Sequence, residues 1–220
     1  MASLNFKIPS ITQKFYQDKD IQLIKNKLNS IDEKYGKIIN NTAKITGLNP
    51  EIIKSFIFIE SAGNASASTP YAVGLMQVGF ATASDVIVYE KASGRLSDEE
   101  EVIIKKYIGS RWNLLSKLSK NQKSIGKTFI TKEDLLQPEF NILIGSILAK
   151  QLIDEFTDGK NVRLDKVIAV YNGGRYSKSS KKVIPFKGTT EEILAIVPKE
   201  TSDYIKKLIG VNSLLDIIVA

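Results

Sequence analysis

The chain has 220 residues, 43% of them hydrophobic, a formal net charge of +7, and neither cysteine nor histidine. That length suffices for one domain with a sizeable core, or one domain with a helical extension. The composition excludes disulfide frameworks, cysteine nucleophiles, Ser-His-Asp triads and zinc sites built on imidazole or thiolate, so acid–base chemistry near neutral pH falls to Asp, Glu, Lys or Tyr.

Residues 1–17, with Pro9 and mixed polarity, read as an arm. From Asp18 to about Thr46, Ile21, Ile24, Leu28, Ile31, Tyr35, Ile38 and Ile39 recur at helical spacing, and Ser30 with Glu33 resembles a capping box, so this stretch is one helix or two. Asn49-Pro50-Glu51 is a strong helix start, and the helix runs through Ile52, Ile53, Phe56, Ile57 and Ile59 to Glu60, with Gly63 or Asn64 able to end it. Residues 63–74 are rich in Ser, Ala, Thr and Gly and read as a loop with room for a short hairpin. A short helix lies within 75–90, and Ser97-Asp98-Glu99-Glu100 starts another through Val102, Ile103 and Tyr107. Lys117 to Thr131 is polar and read as looped; Pro138-Glu139 opens a helix through Phe140, Leu143, Ile144, Ile147, Leu148, Leu152 and Phe156. Asp165–Tyr171 is a short buried helix stopped by Asn172-Gly173-Gly174, residues 175–190 are basic and irregular, and Pro198-Lys199-Glu200 starts a further helix. The expectation is a mainly α fold with little or no sheet.

Glu60 is the leading candidate for chemistry. A carboxyl at the end of the apolar run Phe56-Ile57-Phe58-Ile59 tends to be desolvated, which raises its pKa and suits a general acid near neutral pH. The plain alternative is a surface glutamate at a helix end. Gly74 permits close backbone approach to a ligand, and Gln77 offers a donor and an acceptor to sugar hydroxyls or N-acetyl groups. For Leu75 and Met76 core packing competes with ligand contact; for Gln77 a loop-bracing hydrogen bond does. Tyr171 reads equally as a buried tyrosine before a helix stop, and Glu200 as a first-turn acid suited to the helix dipole.

Glu60-Ser61-Ala62-Gly63-Asn64, then Ser68, Ala72-Val73-Gly74-Leu75-Met76-Gln77 and Thr82-Ala83, resemble the first motif of the soluble lytic transglycosylases. Ala169-Val170-Tyr171-Asn172-Gly173-Gly174 resembles that family's Ala-Tyr-Asn-Ala-Gly segment, and Glu200-Thr201 with Tyr204 its last motif. Pro138-Glu139-Phe140-Asn141-Ile142, followed by Gly145, resembles its scaffold helix. The matched segments fall in the family's order over roughly residues 32–209. The resemblance implies an α+β lysozyme-like fold with a glycan-binding groove. It places the domain at 32–212 with a longer insert at about 86–136, after an arm and helical extension at 1–31 and before a tail at 213–220. It implies Glu60 as sole catalytic acid–base, with Ser68, Met76, Gln77, Val170 (through its carbonyl), Tyr171 and Asn172 as substrate contacts. Ser61, Glu200 and Tyr204 are supporting residues, and no metal or cofactor is involved. The chain departs from the pattern at Tyr71, where the family carries glycine, in a loop one residue shorter, and at Gly79-Phe80, which replaces Met-Pro.

The implied reaction is non-hydrolytic cleavage of the β-1,4 bond between N-acetylmuramic acid and N-acetylglucosamine in peptidoglycan, giving a 1,6-anhydro product. The rivals are a muramidase on the same fold, with Asp85 as a conceivable second carboxylate, and a non-catalytic wall-binding or virion module. A basic nucleic-acid binder is a weaker reading. Arginine occurs only at Arg95, Arg111, Arg163 and Arg175, so most positive charge is lysine, which suits diffuse attraction to an anionic surface. No zinc-finger or RNA-binding motif is present, and a solvated lysine-rich surface is the ordinary account of the charge. The expected partner is the peptidoglycan glycan strand, without nucleic acid or membrane insertion. The apolar runs are too short to span a bilayer, and Met1–Asp20 has no secretory apolar core. The expectation is therefore a phage or mobile-element enzyme that reaches the wall within a virion or through a lysis pore.

Overall fold

The structure is a computed structural model that describes residues 7–9, 11–119 and 129–219. It is mainly helical, 66% helix, with one small two-stranded sheet. The chain divides into two compact units, residues 30–148 and a terminal unit of 1–29 with 149–220. Among the described residues no helix is long and apolar enough to cross a membrane.

Helix α1 (Ile21–Thr46) is continuous. Ser30 does not restart it, because Ile24, Leu28, Ile31 and Ile39 keep one buried face through that point. Residues 30–46 of α1 belong to the first unit, with α2 (Pro50–Ser61), α3 (Phe80–Ala92), α4 (Asp98–Ile108), α5 (Trp112–Leu115) and α6 (Lys132–Leu135). Residues 138–148 of α7 (Pro138–Glu155) complete it.

The Asn49 side chain accepts the Glu51 N–H at 2.8 Å, and Pro50 supplies a first-turn residue with no N–H to satisfy. At the other end Ala62, not Gly63 or Asn64, takes the left-handed cap at φ +50, its N–H bonded to Phe58 O at 3.0 Å. Gly63 follows at φ +76, where a Cβ would press on Ile31 Cγ1 at 2.8 Å. Ile52, Ile53, Phe56 and Ile57 lie in the unit core with Leu75, Met76, Ile87, Ile104 and Phe140.

Helix α4 starts where expected, on a reciprocal Ser97–Glu100 capping box. Its inward face is Glu100, Ile104 and Ile108, whereas the apolar Val102 is exposed. Trp112, only 7% exposed, lies beneath two ammonium groups, Lys91 at 5.5 Å and Lys105 at 5.4 Å from the ring centroid. Both lysines pair with Glu101 at 2.5 Å. The polar stretch 117–131 is non-helical at 117–119 and 129–131; residues 120–128 lie outside the described residues.

In the terminal unit, β1 (Thr157–Asp158) and β2 (Asn161–Val162) form an antiparallel hairpin. The arm is tied to it: Lys7 N–H donates to Lys160 O at 2.8 Å and Val162 N–H to Lys7 O at 2.9 Å. Val211 N–H holds the arm again through Gln13 O at 3.0 Å. Helix α8 (Leu164–Gly173) is buried from Leu164 to Val170. It packs against α9 (Lys178–Val183), α10 (Thr190–Ile196) and α11 (Lys199–Ile209).

The stretch 175–190, expected to be irregular, contains α9, and the expected tail 213–220 contains α12 (Leu214–Val219). Serine caps explain both: Ser177 Oγ accepts Ser180 N–H at 3.0 Å, and Ser213 Oγ accepts Asp216 N–H at 3.2 Å. Leu214 and Leu215 are buried, which holds the last helix down.

Candidate functional site

Within the 30–148 unit, α2 delivers Glu60 and Ser61 to its last turn, and the loop 62–79 folds back over that turn. Glu60 and Ser61 are half-buried. The Ser61 hydroxyl donates to Leu75 O at 2.8 Å and to Ile57 O at 3.1 Å, and accepts the Gly63 N–H at 3.2 Å. One hydroxyl thus joins the helix end, its exit and the far arm of the loop, which fixes the backbone beside Glu60. Tyr35 of α1 adds a bond to Gly63 O at 3.3 Å. Ser61, expected as a supporting residue, thus braces the helix end, and Tyr35 joins it without having been singled out as a site residue.

The loop contains the short hairpin that its composition allowed. Ser68 and Val73 bridge antiparallel, as do Val73 and Val78. At its tip Thr69 Oγ1 accepts the N–H groups of Tyr71 (3.2 Å) and Ala72 (3.0 Å), and Pro70 sits inside the turn. This turn leaves Tyr71 84% exposed, and Ser68 is also exposed.

Gln77 stands at φ +46, a left-handed conformation that costs a non-glycine residue about 1–3 kcal/mol unless its surroundings hold it. Its own amide does so: Nε2 donates to Ala67 O at 3.1 Å and to Gly74 O at 2.8 Å. Both amide hydrogens are thereby committed to bracing the loop. The donor expected for a sugar is in use, and the amide oxygen is the group with acceptor capacity for a ligand.

Two expectations for this loop are corrected. Met76, expected to line a groove, is 0% exposed; its side chain packs on Gly145, where a Cβ would lie 2.7 Å from Met76 Sδ. The close approach that Gly74 permits is to protein, since at φ +83 a Cβ there would run into Asn141 and the Leu135 carbonyl. Asn141 is the residue that organises both. Its Oδ1 accepts Met76 N–H at 2.8 Å, while its Nδ2 donates to Val73 O at 2.8 Å and Leu135 O at 2.9 Å. The polar signal was visible, an asparagine inside the apolar run Phe140–Leu143, but its partners were not.

In the terminal unit, α8 ends on Tyr171 and Asn172, both half-buried. Asn172 Oδ1 accepts the Thr201 hydroxyl at 2.6 Å, which fastens the end of α8 to the first turn of α11 and brings the neighbourhoods of Asn172 and Glu200 together. Glu200 is exposed and Tyr204 is buried. Val170 is 2% exposed, so its isopropyl group belongs to the core, and the part it could present is the carbonyl at the helix's last turn. Nearby, Asp165 is fully buried and compensated by Arg163 (2.7 and 3.0 Å) and the Thr190 hydroxyl (2.8 Å). That arrangement is structural.

Asp85, on α3, is exposed as a residue, and the desolvation that its surroundings impose on its carboxyl pushes it above the usual aspartate range. Among the described residues no group of three or more acids could hold a metal ion. No protein-family model matches the chain, and no curated protein matches it.

Proposed function

We propose that the chain is a peptidoglycan lytic transglycosylase with Glu60 as its single general acid and base. The observation that carries this reading is the seat of Glu60. It lies in the last turn of an apolar helix, next to a serine that ties that turn to the Gly74–Gln77 arm of a braced loop. A carboxyl carried on backbone that is held beside a braced loop suits general acid catalysis, which tolerates little misplacement. The order of the motif-like segments along the chain supports the same reading.

In the proposed reaction, protonated Glu60 gives its proton to the glycosidic oxygen as the bond to the muramoyl anomeric carbon breaks. The N-acetyl oxygen of the muramoyl residue meets the positive charge that develops at that carbon, so no second carboxylate is required. Glu60, now ionised, removes the proton of the 6-hydroxyl, and that oxygen bonds to the anomeric carbon. The products are a new N-acetylglucosamine 4-hydroxyl end and a 1,6-anhydromuramoyl end, and Glu60 regains its proton.

The second reading is a muramidase on the same fold, for which Asp85 would be the second carboxylate. A carboxylate of raised pKa is a stronger base once ionised, and such a base activating water would make the chain a muramidase.

Mass spectrometry of purified peptidoglycan digested by the protein and by Glu60→Gln separates these outcomes. Products lighter by one water than reducing-end muropeptides, reduced by about 10²–10⁴-fold in rate with Glu60→Gln, support the transglycosylase. Reducing-end products support the muramidase. No soluble product from walls of several bacteria overturns both in favour of a non-catalytic wall-binding module.

A further inference from the structure

The segment 175–190 holds Arg175, Lys178, Lys181, Lys182 and Lys187 and no acidic residue. Arg175 is committed to Glu155 through two bonds of 2.6 and 2.8 Å. Three of the remaining four lysines lie on α9. Ser180 and Val183 are its buried side, whereas Lys178, Lys181 and Lys182 are exposed. Their spacing, i, i+3 and i+4, puts the three on one helical face with neighbouring Cβ atoms about 5–6 Å apart.

This face has a fixed place beside the end of α8. The two helices pack together, and a Cβ on Gly173 would lie 3.3 Å from both Ser177 Oγ and Ser180 Oγ. The lysines are therefore held next to the turn that carries Tyr171 and Asn172. Tyr176, 79% exposed, lies between that turn and the first lysine.

A glycan backbone of N-acetylated sugars has little charge for such a face to meet while its lactyl carboxyls are held as amides by the stems. The anionic groups of peptidoglycan are the carboxylates of its peptide stems, which recur along the strand with variable geometry. Flexible lysine ammoniums suit targets of that kind better than a rigid bidentate fork. We propose that the Lys178–Lys181–Lys182 face recognises the carboxylates of peptide stems, so that the protein prefers stem-bearing strands to stripped glycan. This rests on the peptidoglycan reading given above.

The test is a binding measurement in the Glu60→Gln background, using intact sacculi and glycan strands stripped of stems by an amidase, with the lactyl carboxylates that this hydrolysis frees converted to amides so that the strands are uncharged. The added substitutions are Lys178→Gln, Lys181→Gln and Lys182→Gln together. A control carries the same loss of charge at the exposed Lys19, Lys25 and Lys27. The expected result is an affinity for sacculi about tenfold lower in the α9 triple variant, with stripped strands bound as before and the control unchanged. Unaltered binding of sacculi overturns the lysine face and leaves the peptidoglycan reading standing. An equal loss in the control shows that net charge alone is read, and overturns it as well. Binding of duplex DNA as tight as that of sacculi also overturns it. If the unsubstituted protein binds neither wall polymer and releases no product, the peptidoglycan reading falls and this proposal with it. Should the triple variant fail to fold by circular dichroism, salt decides. Binding of the Glu60→Gln protein to sacculi must weaken as salt shortens the screening length from about 10 Å at 0.1 M to about 3 Å at 1 M, and indifference to salt is contrary to the proposal.

Discussion

Asn141 and Met76, 65 residues apart in the chain, are joined by a hydrogen bond of 2.8 Å from the Met76 N–H to the Asn141 carboxamide oxygen. With its donors on Val73 and Leu135, this one fully buried side chain satisfies three backbone groups beneath the candidate site. Asn141→Leu removes the partner of the Met76 N–H and the bond to Leu135 O, and leaves Val73 O with the Val78 N–H alone. The expected cost is about 3 kcal/mol in urea unfolding, since each orphaned buried group costs about 1–3 kcal/mol and the loop relaxes in part. A change below about 1 kcal/mol would show that water or a shifted loop replaces the side chain.

Ala62 offers the opposite sign. It is exposed and carries φ +50, where an L-residue is disfavoured by about 1–2 kcal/mol and glycine is not. Ala62→Gly is expected to raise the unfolding free energy by about 0.5–1 kcal/mol, less than the full strain because glycine gains more freedom when unfolded. Chemical denaturation of the two proteins checks this, and a loss of stability would contradict it.

Tyr71 replaces a glycine of the resembled motif at the tip of a turn held by Thr69. On the peptidoglycan reading proposed above, its exposed ring would stack on a sugar face. Tyr71→Ala is expected to raise the KM for long glycan strands about five- to tenfold, as the loss of about 1 kcal/mol of ring contact implies, while the melting temperature stays within error. Tyr71→Phe should behave as wild type. Equal loss in both variants would point to the hydroxyl.

Asp134 links stability to acid. Burial alone would raise its pKa, but the two bonds from Arg111 (2.6 and 2.9 Å) and the Thr131 N–H hold it below the usual aspartate range. A carboxyl depressed in the folded state contributes stability that is present above its unfolded pKa of about 3.9 and lost as pH falls through the folded value. Asp134→Asn is therefore expected to flatten the loss of stability below about pH 4, while costing stability at neutral pH. An unchanged acid slope would mean that another carboxylate sets it.

Parts of this architecture could be read directly from the chain. Asn49-Pro50-Glu51 announces α2, and Ser97 with Glu100 announces α4, because cap chemistry is local and uses residues three positions apart. The same chemistry marks α9, α10 and α12 through Ser177, Thr189 with Glu192, and Ser213 with Asp216. Those helices have six or seven residues, too few for apolar periodicity to declare itself. The buried face of α4 was not legible, because Val102 and Ile103 are as apolar as Ile104 and only packing chooses among them. At the candidate site, Glu60, Ser61 and Gln77 stood out by type and order. The duties of Met76, Gly74 and Asn141 did not, because they depend on contacts between the loop and α7, some seventy residues onward.

Trp112 is the chain's single tryptophan, and it belongs to the 30–148 unit. Indole emission is therefore a private signal of that unit, with two ammonium groups close enough to shift it when they leave. Far-ultraviolet dichroism samples the helices of both. Superimposable denaturation curves from the two probes would mean that the units melt as one cooperative body, and separated midpoints that each carries its own stability.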